Sequence, residues 1–272
     1  MAPQYEEEYV NARTVLLDAL GALGDHRSSA ILVGAQAIYI HAGEATFGMA
    51  PYTTDADIAI NPRSLNKKPP IEQAMKNAGF RHGEQPGIWL GTDNIHVDLL
   101  VPESVGGPGR RSARLEGHSK RTARKVDGLE GVLVENQIET IGSFREDDDR
   151  RFNIRVAGPA ALLVAKLYKV WERRELPRRL ENKDAADIFR LLQAIPTDKL
   201  TAGLAKLRSD PISASVVLKA LDFLRRLFAE TEGLGVKLLR SAVEGLDDPD
   251  VAAASCLELA KDLIQAANVL GL

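Results

Sequence analysis

The chain has 272 residues, 44% apolar and 27% charged, ordinary values for a globular protein with room for one large domain or two small ones. A formal net charge of −3 means that overall charge does not draw it to nucleic acid, so any such role must rest on local clusters. A single cysteine, Cys256, excludes an intrachain disulfide, and with only five scattered histidines it argues against a zinc site. Met1 to Glu8 is acidic rather than basic and then apolar, and no apolar run reaches the length of a membrane span. The expected compartment is the cytoplasm, with no membrane partner.

In chain order, the apolar spacing of Val10, Val15, Leu16, Leu20 and Leu23 predicts an amphipathic helix over about 4–23, ended at Gly21 and Gly24. Ser28 to Val33 reads as a strand. Gln36 to Ala42 reads as a helix starting on Gly34, its first amides placed to meet an anion. A loop over 43–52 leads to a strand from Thr53 to Ile60, broken by Asn61 and Pro62. Pro69-Pro70 opens a short helix that Gly79 stops. Phe80 to Leu90 reads as two strands turned at Gln85-Pro86-Gly87, and His96 to Val101 as a further strand ended by Pro102. Strands alternating with helices predict a mixed sheet with helices packed on it.

Carboxylates interrupt two of these strands. Asp55 and Asp57 are two apart, so a strand projects both to one face. A D-x-D pair alone is as easily a solvent-facing strand. Asp98, however, lies in the apolar run Val97-Asp98-Leu99-Leu100-Val101, where a buried unpaired carboxylate is costly. If the two strands pair, three carboxylates share one face and repel unless a cation binds between them. Mg²⁺ or Mn²⁺ prefers such oxygen ligands and arrives with nucleotide phosphates.

Residues Arg110 to Lys125 carry Arg110, Arg111, Arg114, Lys120, Arg121, Arg124 and Lys125 against the single acid Glu116. With Gly and Ser residues just before it, the segment reads as an exposed, mobile loop: a solvated charged surface, or a phosphate-contacting surface for a nucleic acid. Few aromatics interleave it, so base stacking is not indicated. Ile138 to Ile141 and Phe152 to Val156 read as short strands around the charged turn 146–151. Pro159 starts a helix whose apolar stripe is Leu162, Leu163, Leu167, Val170 and Trp171, with Lys166, Lys169 and Arg173 on a separate stripe. Leu176-Pro177 ends it. In the next helix Lys183 and Asp187 are one turn apart, which by itself reads as a surface ion pair. From Pro196 onward the chain reads as helices near 200–207, 212–228, 236–243 and 251–270. Asp247-Asp248-Pro249-Asp250 caps the last, and Cys256 packs in its core face.

The order strand-Gly34-Ala35, apolar-Asp55-x-Asp57-apolar, apolar-Asp98-apolar resembles the nucleotidyltransferase superfamily typified by DNA polymerase beta. The added stretch Lys183-Asp184-x-x-Asp187-Ile188, after a basic helix, is similar to the AbiEii-type nucleotidyltransferases, which include MenT-like toxins of toxin–antitoxin systems. The likeness covers about residues 28–192. Gly34-Ala35 stands where Gly-Gly or Gly-Ser is usual, Thr53 matches the usual Thr or Ser, and Pro51 stands where an Arg is frequent. The resemblance implies a polymerase-beta-like mixed-sheet core, an α/β (α+β) fold, over 1–156 with a helical domain over 157–272. It implies that Asp55, Asp57 and Asp98 are catalytic and bind the metal, with Asp98 also activating the acceptor hydroxyl. Gly34, Ala35, Thr54, Lys166, Lys183 and Asp187 would bind the nucleotide. The implied function is transfer of a nucleoside monophosphate from an NTP to a hydroxyl, on a tRNA 3′ end by analogy with MenT, with a cognate antitoxin as a further partner and the basic loop on the tRNA. The alternatives are nucleotidylation of a small molecule or of a protein, and a nucleotide-binding regulatory module without transfer.

Overall fold

The computed structural model describes residues 5–43, 52–176 and 181–272. Pro51, most of the predicted 43–52 loop and the helix stop at Pro177 lie outside them. The chain forms two compact units. The described parts of the first are 5–37, 52–127 and 136–157, and those of the second are 38–43, 128–135, 158–176 and 181–272. The sequence suggests two continuous domains meeting near Ala157. In the structure the short segments 38–43 and 128–135 group with the helices.

The first unit is α/β. Its strands are β1 (Ala30–Val33), β2 (Asp55–Ile60), β3 (Arg81–His82), β4 (Ile88–Leu90), β5 (His96–Pro102), β6 (Arg124–Val126), β7 (Asn136–Gly142) and β8 (Arg151–Ala157). They form one sheet in the order β3-β4-β5-β2-β1-β8-β7, with β6 also pairing β5. The sheet is mixed: β1 runs antiparallel to β2 and parallel to β8, while β2 and β5 are parallel. β1 has a paired neighbour on each side and is buried at every position. That is why it reads as an unbroken apolar run with no alternation.

Helix α1 (Glu7–Leu23) lies against α3 (Ile71–Asn77) and against β2 and β5, burying Val15, Leu16, Leu17 and Leu20. The predicted two-strand segment is β3 and β4, with Gly87 at φ +81° in the turn between them. Trp89 on β4 is fully buried and its indole N–H donates to the Thr122 carbonyl at 3.0 Å.

The second unit is helical. It contains α4 (Pro159–Arg173), α5 (Asn182–Ala194), α6 (Thr197–Ser209), α7 (Ala214–Phe228), α8 (Leu234–Val243) and α9 (Pro249–Val269). Helix α4 packs on α5, α6 and α7 with its predicted apolar stripe inward, and Trp171 stacks on Phe223 at 4.6 Å between ring centres. Pro159 occupies the first turn, and the carboxylate of Glu135 accepts from the Ala161 amide at 2.7 Å, satisfying one of the open donors there. Asp248 caps α9 by accepting from the amides of Asp250 and Val251 at 2.9 and 3.2 Å. Cys256 on α9 is fully buried, and burial pushes its thiol up to about 12, which makes it an inert packing group. Among the described residues no helix is long and apolar enough to cross a membrane.

Candidate functional site

Strands β2 and β5 pair in parallel with Asp57 beside Asp98 and Asp55 beside His96. Ala56 and Ile58 are buried on one face of β2, while Asp55 and Asp57 are half-buried on the other. In-register neighbours of a parallel pair point the same way, so Asp55, Asp57 and Asp98 share one sheet face. Each carboxylate is held differently. The hydroxyl of buried Thr53 donates to Asp55 Oδ1 at 2.6 Å. The Arg124 guanidinium donates to Asp98 Oδ2 at 2.6 Å, and the other Asp98 oxygen is buried with no hydrogen-bond partner among the described residues. Asp57 lies against Gly34, where α2 (Gly34–Ala42) begins.

The contact with Asp57 explains the glycine. Gly34 has φ +69°, and a Cβ built on it would collide with the Asp57 carboxylate. Next to it, Ala35 is small and buried. The tight approach places a helix N-terminus beside a carboxylate, where the helix dipole favours negative charge. Thr54, expected at the nucleotide, is an exposed bend residue, and it is Thr53 whose hydroxyl reaches Asp55.

A buried relay behind this face has no signature in the sequence. Gln36 donates to the Asp55 carbonyl at 3.2 Å and accepts from Arg13 Nε at 2.9 Å. Arg13, on α1, also donates to the Gly142 carbonyl at 3.1 Å and lies 4.3 Å over the Phe144 ring. Arg13 and Gln36 are nearly fully buried. The relay ties the first residue of β2 to α1 and to the end of β7, and so fixes where Asp55 projects. Its members are far apart in sequence, so no local pattern marks them.

The basic segment is a folded arm rather than a loose loop. Ala113, Leu115, Thr122 and Ala123 are buried, and the Ala113 amide donates to the Ala123 carbonyl at 3.0 Å. Glu72 of α3 staples it by accepting from the Ser119 amide at 3.0 Å and the Thr122 hydroxyl at 2.8 Å. Arg110, Arg111, Arg114, Lys120 and Arg121 are exposed. Arg124 and Lys125 turn inward, to Asp98 and to Glu103 respectively.

In the second unit, Lys166 is buried with its ammonium 2.8 Å from Asp184 and 2.7 Å from Asp187. Lys169 lies 3.0 Å from Asp184, and Lys183 lies 3.4 Å from Glu181. The expected nucleotide ligands Lys166 and Asp187 therefore bond to each other, and Lys183 turns to a different acid. Burial alone would push the Asp184 carboxyl up, and Lys166 with Lys169 more than reverses this, holding it below the usual carboxylate range. Burial also opposes the charge on Lys166, and Asp184 and Asp187 outweigh it, raising its pKa.

As the side chains stand, among the described residues no three acidic, histidine or cysteine groups converge to hold a metal ion. The donors of the β2–β5 face nevertheless suit a hard cation: all are carboxylate oxygens, and Asp98 keeps one buried oxygen with no hydrogen-bond partner. The obstacle is the guanidinium on the other Asp98 oxygen. Comparison with protein-family models, curated proteins and solved structures finds no match.

Three outcomes are expected from this geometry. Gly34→Ala should destabilise the protein by about 1–3 kcal/mol in urea unfolding, since it forces a Cβ into a left-handed backbone and against Asp57. Lys166→Met should cost roughly 3–5 kcal/mol by leaving Asp187 buried without its cation and Asp184 with only Lys169 and Arg173. The depressed Asp184 carboxyl contributes stability above its unfolded pKa, and that contribution should be lost as acid protonates the group, well below neutrality. A Lys166→Met protein that melts like the wild type would show that the triad is not structural.

Proposed function

We propose that this chain is a metal-dependent nucleotidyltransferase of the AbiEii type with a polymerase-beta-like core. It would move a nucleoside monophosphate from an NTP to a tRNA 3′-terminal hydroxyl, acting in the cytoplasm as the toxin partner of an antitoxin. The observation that carries the reading is the register of β2 and β5, which sets Asp98 beside Asp57 with Asp55 two residues earlier on the same face. The glycine-started helix against Asp57 supports it by bringing a backbone N-terminus to the same place.

In this reading Asp55 and Asp57 hold Mg²⁺ or Mn²⁺, and Asp98 joins them on the acceptor side. The bound cation supplies charge compensation for the triphosphate. The acceptor hydroxyl oxygen attacks the α-phosphorus in line, and its proton passes to the Asp98 carboxylate. The bond from the α-phosphorus to the bridging oxygen breaks, and pyrophosphate leaves. Thr53 and the Arg13–Gln36 relay hold the Asp55 end of β2 in place. The exposed cations Arg110, Arg111, Arg114 and Lys120 offer a phosphate-contacting surface for a polyanionic acceptor. A second reading, a nucleotide-binding module without transfer, is favoured by the Arg124–Asp98 pair, which occupies the acid that would take the proton.

Incubation of the protein with each labelled NTP, Mg²⁺ and separate pools of tRNA, protein and small alcohols tests the reading. The expected result is tRNA extended by one or a few nucleotides. Asp57→Asn should lose metal-dependent NTP binding, and Asp98→Asn should bind NTP yet fail to extend. Label on protein or on an alcohol alone would move the acceptor class, and nucleotide binding without label anywhere would favour the regulatory module.

A further inference from the structure

Arg124 opens β6, which pairs with β5 beside the acid face. Its backbone is fixed. It bridges Ser112, its neighbour Lys125 is anchored to Glu103 at 2.7 Å and to the Gly107 carbonyl at 3.1 Å, and a Cβ on Gly87 would strike its amide. Only the long side chain is left to move. Among the described residues that side chain makes one ion pair, to Asp98 Oδ2, and is about a quarter exposed, while Asp98 Oδ1 is buried with no hydrogen-bond partner among them. The contact uses one oxygen of a group that commonly binds guanidinium through both. It offsets the charge of the acid cluster and leaves an acceptor position on Asp98 open.

A divalent cation taking Asp98 meets the positive charge of Arg124 on the same carboxylate. Alone, it either binds Oδ1 against the unoffset guanidinium or displaces the guanidinium and leaves it without an anion. Arriving with a triphosphate, it brings the anion to which the guanidinium can turn. We propose that Arg124 is an exchange residue: it holds the place of the metal on Asp98 in the resting protein and passes to the phosphates of the incoming metal–nucleotide. This inference rests on the metal-dependent reading of the acid face. It makes metal and nucleotide binding mutually reinforcing, and it gives Arg124 a substrate contact apart from the exposed cations of the basic arm.

The test is Mn²⁺ binding to the full chain, followed by electron paramagnetic resonance, alone and with each α,β-methylene nucleoside triphosphate. Wild type should bind Mn²⁺ alone weakly, and nucleotide should tighten it. Arg124→Gln should bind Mn²⁺ alone about tenfold more tightly or better, because a competing positive charge has gone, and nucleotide should then add much less. Arg124→Lys should stay close to wild type, and Asp98→Asn placed on Arg124→Gln should erase the gain. Arg124→Met, which keeps the aliphatic stem, replaces the Gln variant if that one does not give a cooperative melt. Unchanged Mn²⁺ affinity on removing the guanidinium, or no Mn²⁺ binding by any variant, overturns the proposal. If affinity rises as expected but the wild type transfers no nucleotide to any acceptor, the exchange stands and the transferase reading falls. If the wild type transfers nucleotide and the affinity does not rise, the reverse holds.

Discussion

Three carboxylates on one face of a sheet are the constraint around which the first unit is arranged. Strand pairing alone puts Asp57 beside Asp98, and the period of the strand adds Asp55. Like charges at that spacing oppose the pairing that creates them. The structure answers each one locally: a threonine hydroxyl on Asp55, a guanidinium on Asp98, and the start of α2 against Asp57. These partners come from three parts of the chain. The acid face is therefore tied to the fold of the whole unit, from α1 through the Arg13–Gln36 relay to the basic arm that supplies Arg124.

The charge clusters around Lys166 and Arg124 differ in burial, and burial decides what each can do. The Lys166–Asp184–Asp187 group is almost wholly withdrawn from water. Taking Lys166 away strands Asp187 and leaves Asp184 to Lys169 and Arg173, so Lys166 is not easily lent to a ligand. The Arg124–Asp98 pair is half-buried, and a charged hydrogen bond of this kind contributes on the order of 1.5–3 kcal/mol. An incoming phosphate can offset that amount. A buried lysine between two acids thus acts as a rivet in one unit, while in the other a half-buried arginine on one acid is the contact that the proposal makes exchangeable.

Much of the acid face was legible in the sequence because its cues are local. Period-two spacing set Asp55 and Asp57 on one face, and apolar flanks marked Asp98 as a strand residue with a purpose. The pairing of β2 with β5 stayed conditional in the sequence, and the structure shows it. The helices after Pro159 were legible from their stripes, and the cap at Asp248 from its Asp-Pro sequence. What the sequence hid was set by neighbours distant along the chain. Lys166 reads as one of three cations on a polar stripe of α4, and only the packing of α5 shows that two acids cover it. Thr53 and Thr54 are equivalent as letters, and the bend just before β2 leaves one buried and the other exposed.

The basic segment shows why composition misleads at single-residue resolution. Seven cations within sixteen positions suggest one electrostatic surface. Two physical facts divide them. The apolar residues between them, Ala113, Leu115 and Ala123, must be buried, which folds the segment onto β4 and α3 and ends its freedom. Its last two residues then pair with β5, and strand alternation sends Arg124 to the acid face and Lys125 to Glu103. The remaining exposed cations keep the long-range field that a polyanion would meet, while Arg124 acts at contact distance on one carboxylate. A single charged stretch is therefore divided into exposed cations and an inward contact, and its few apolar residues are what separate them.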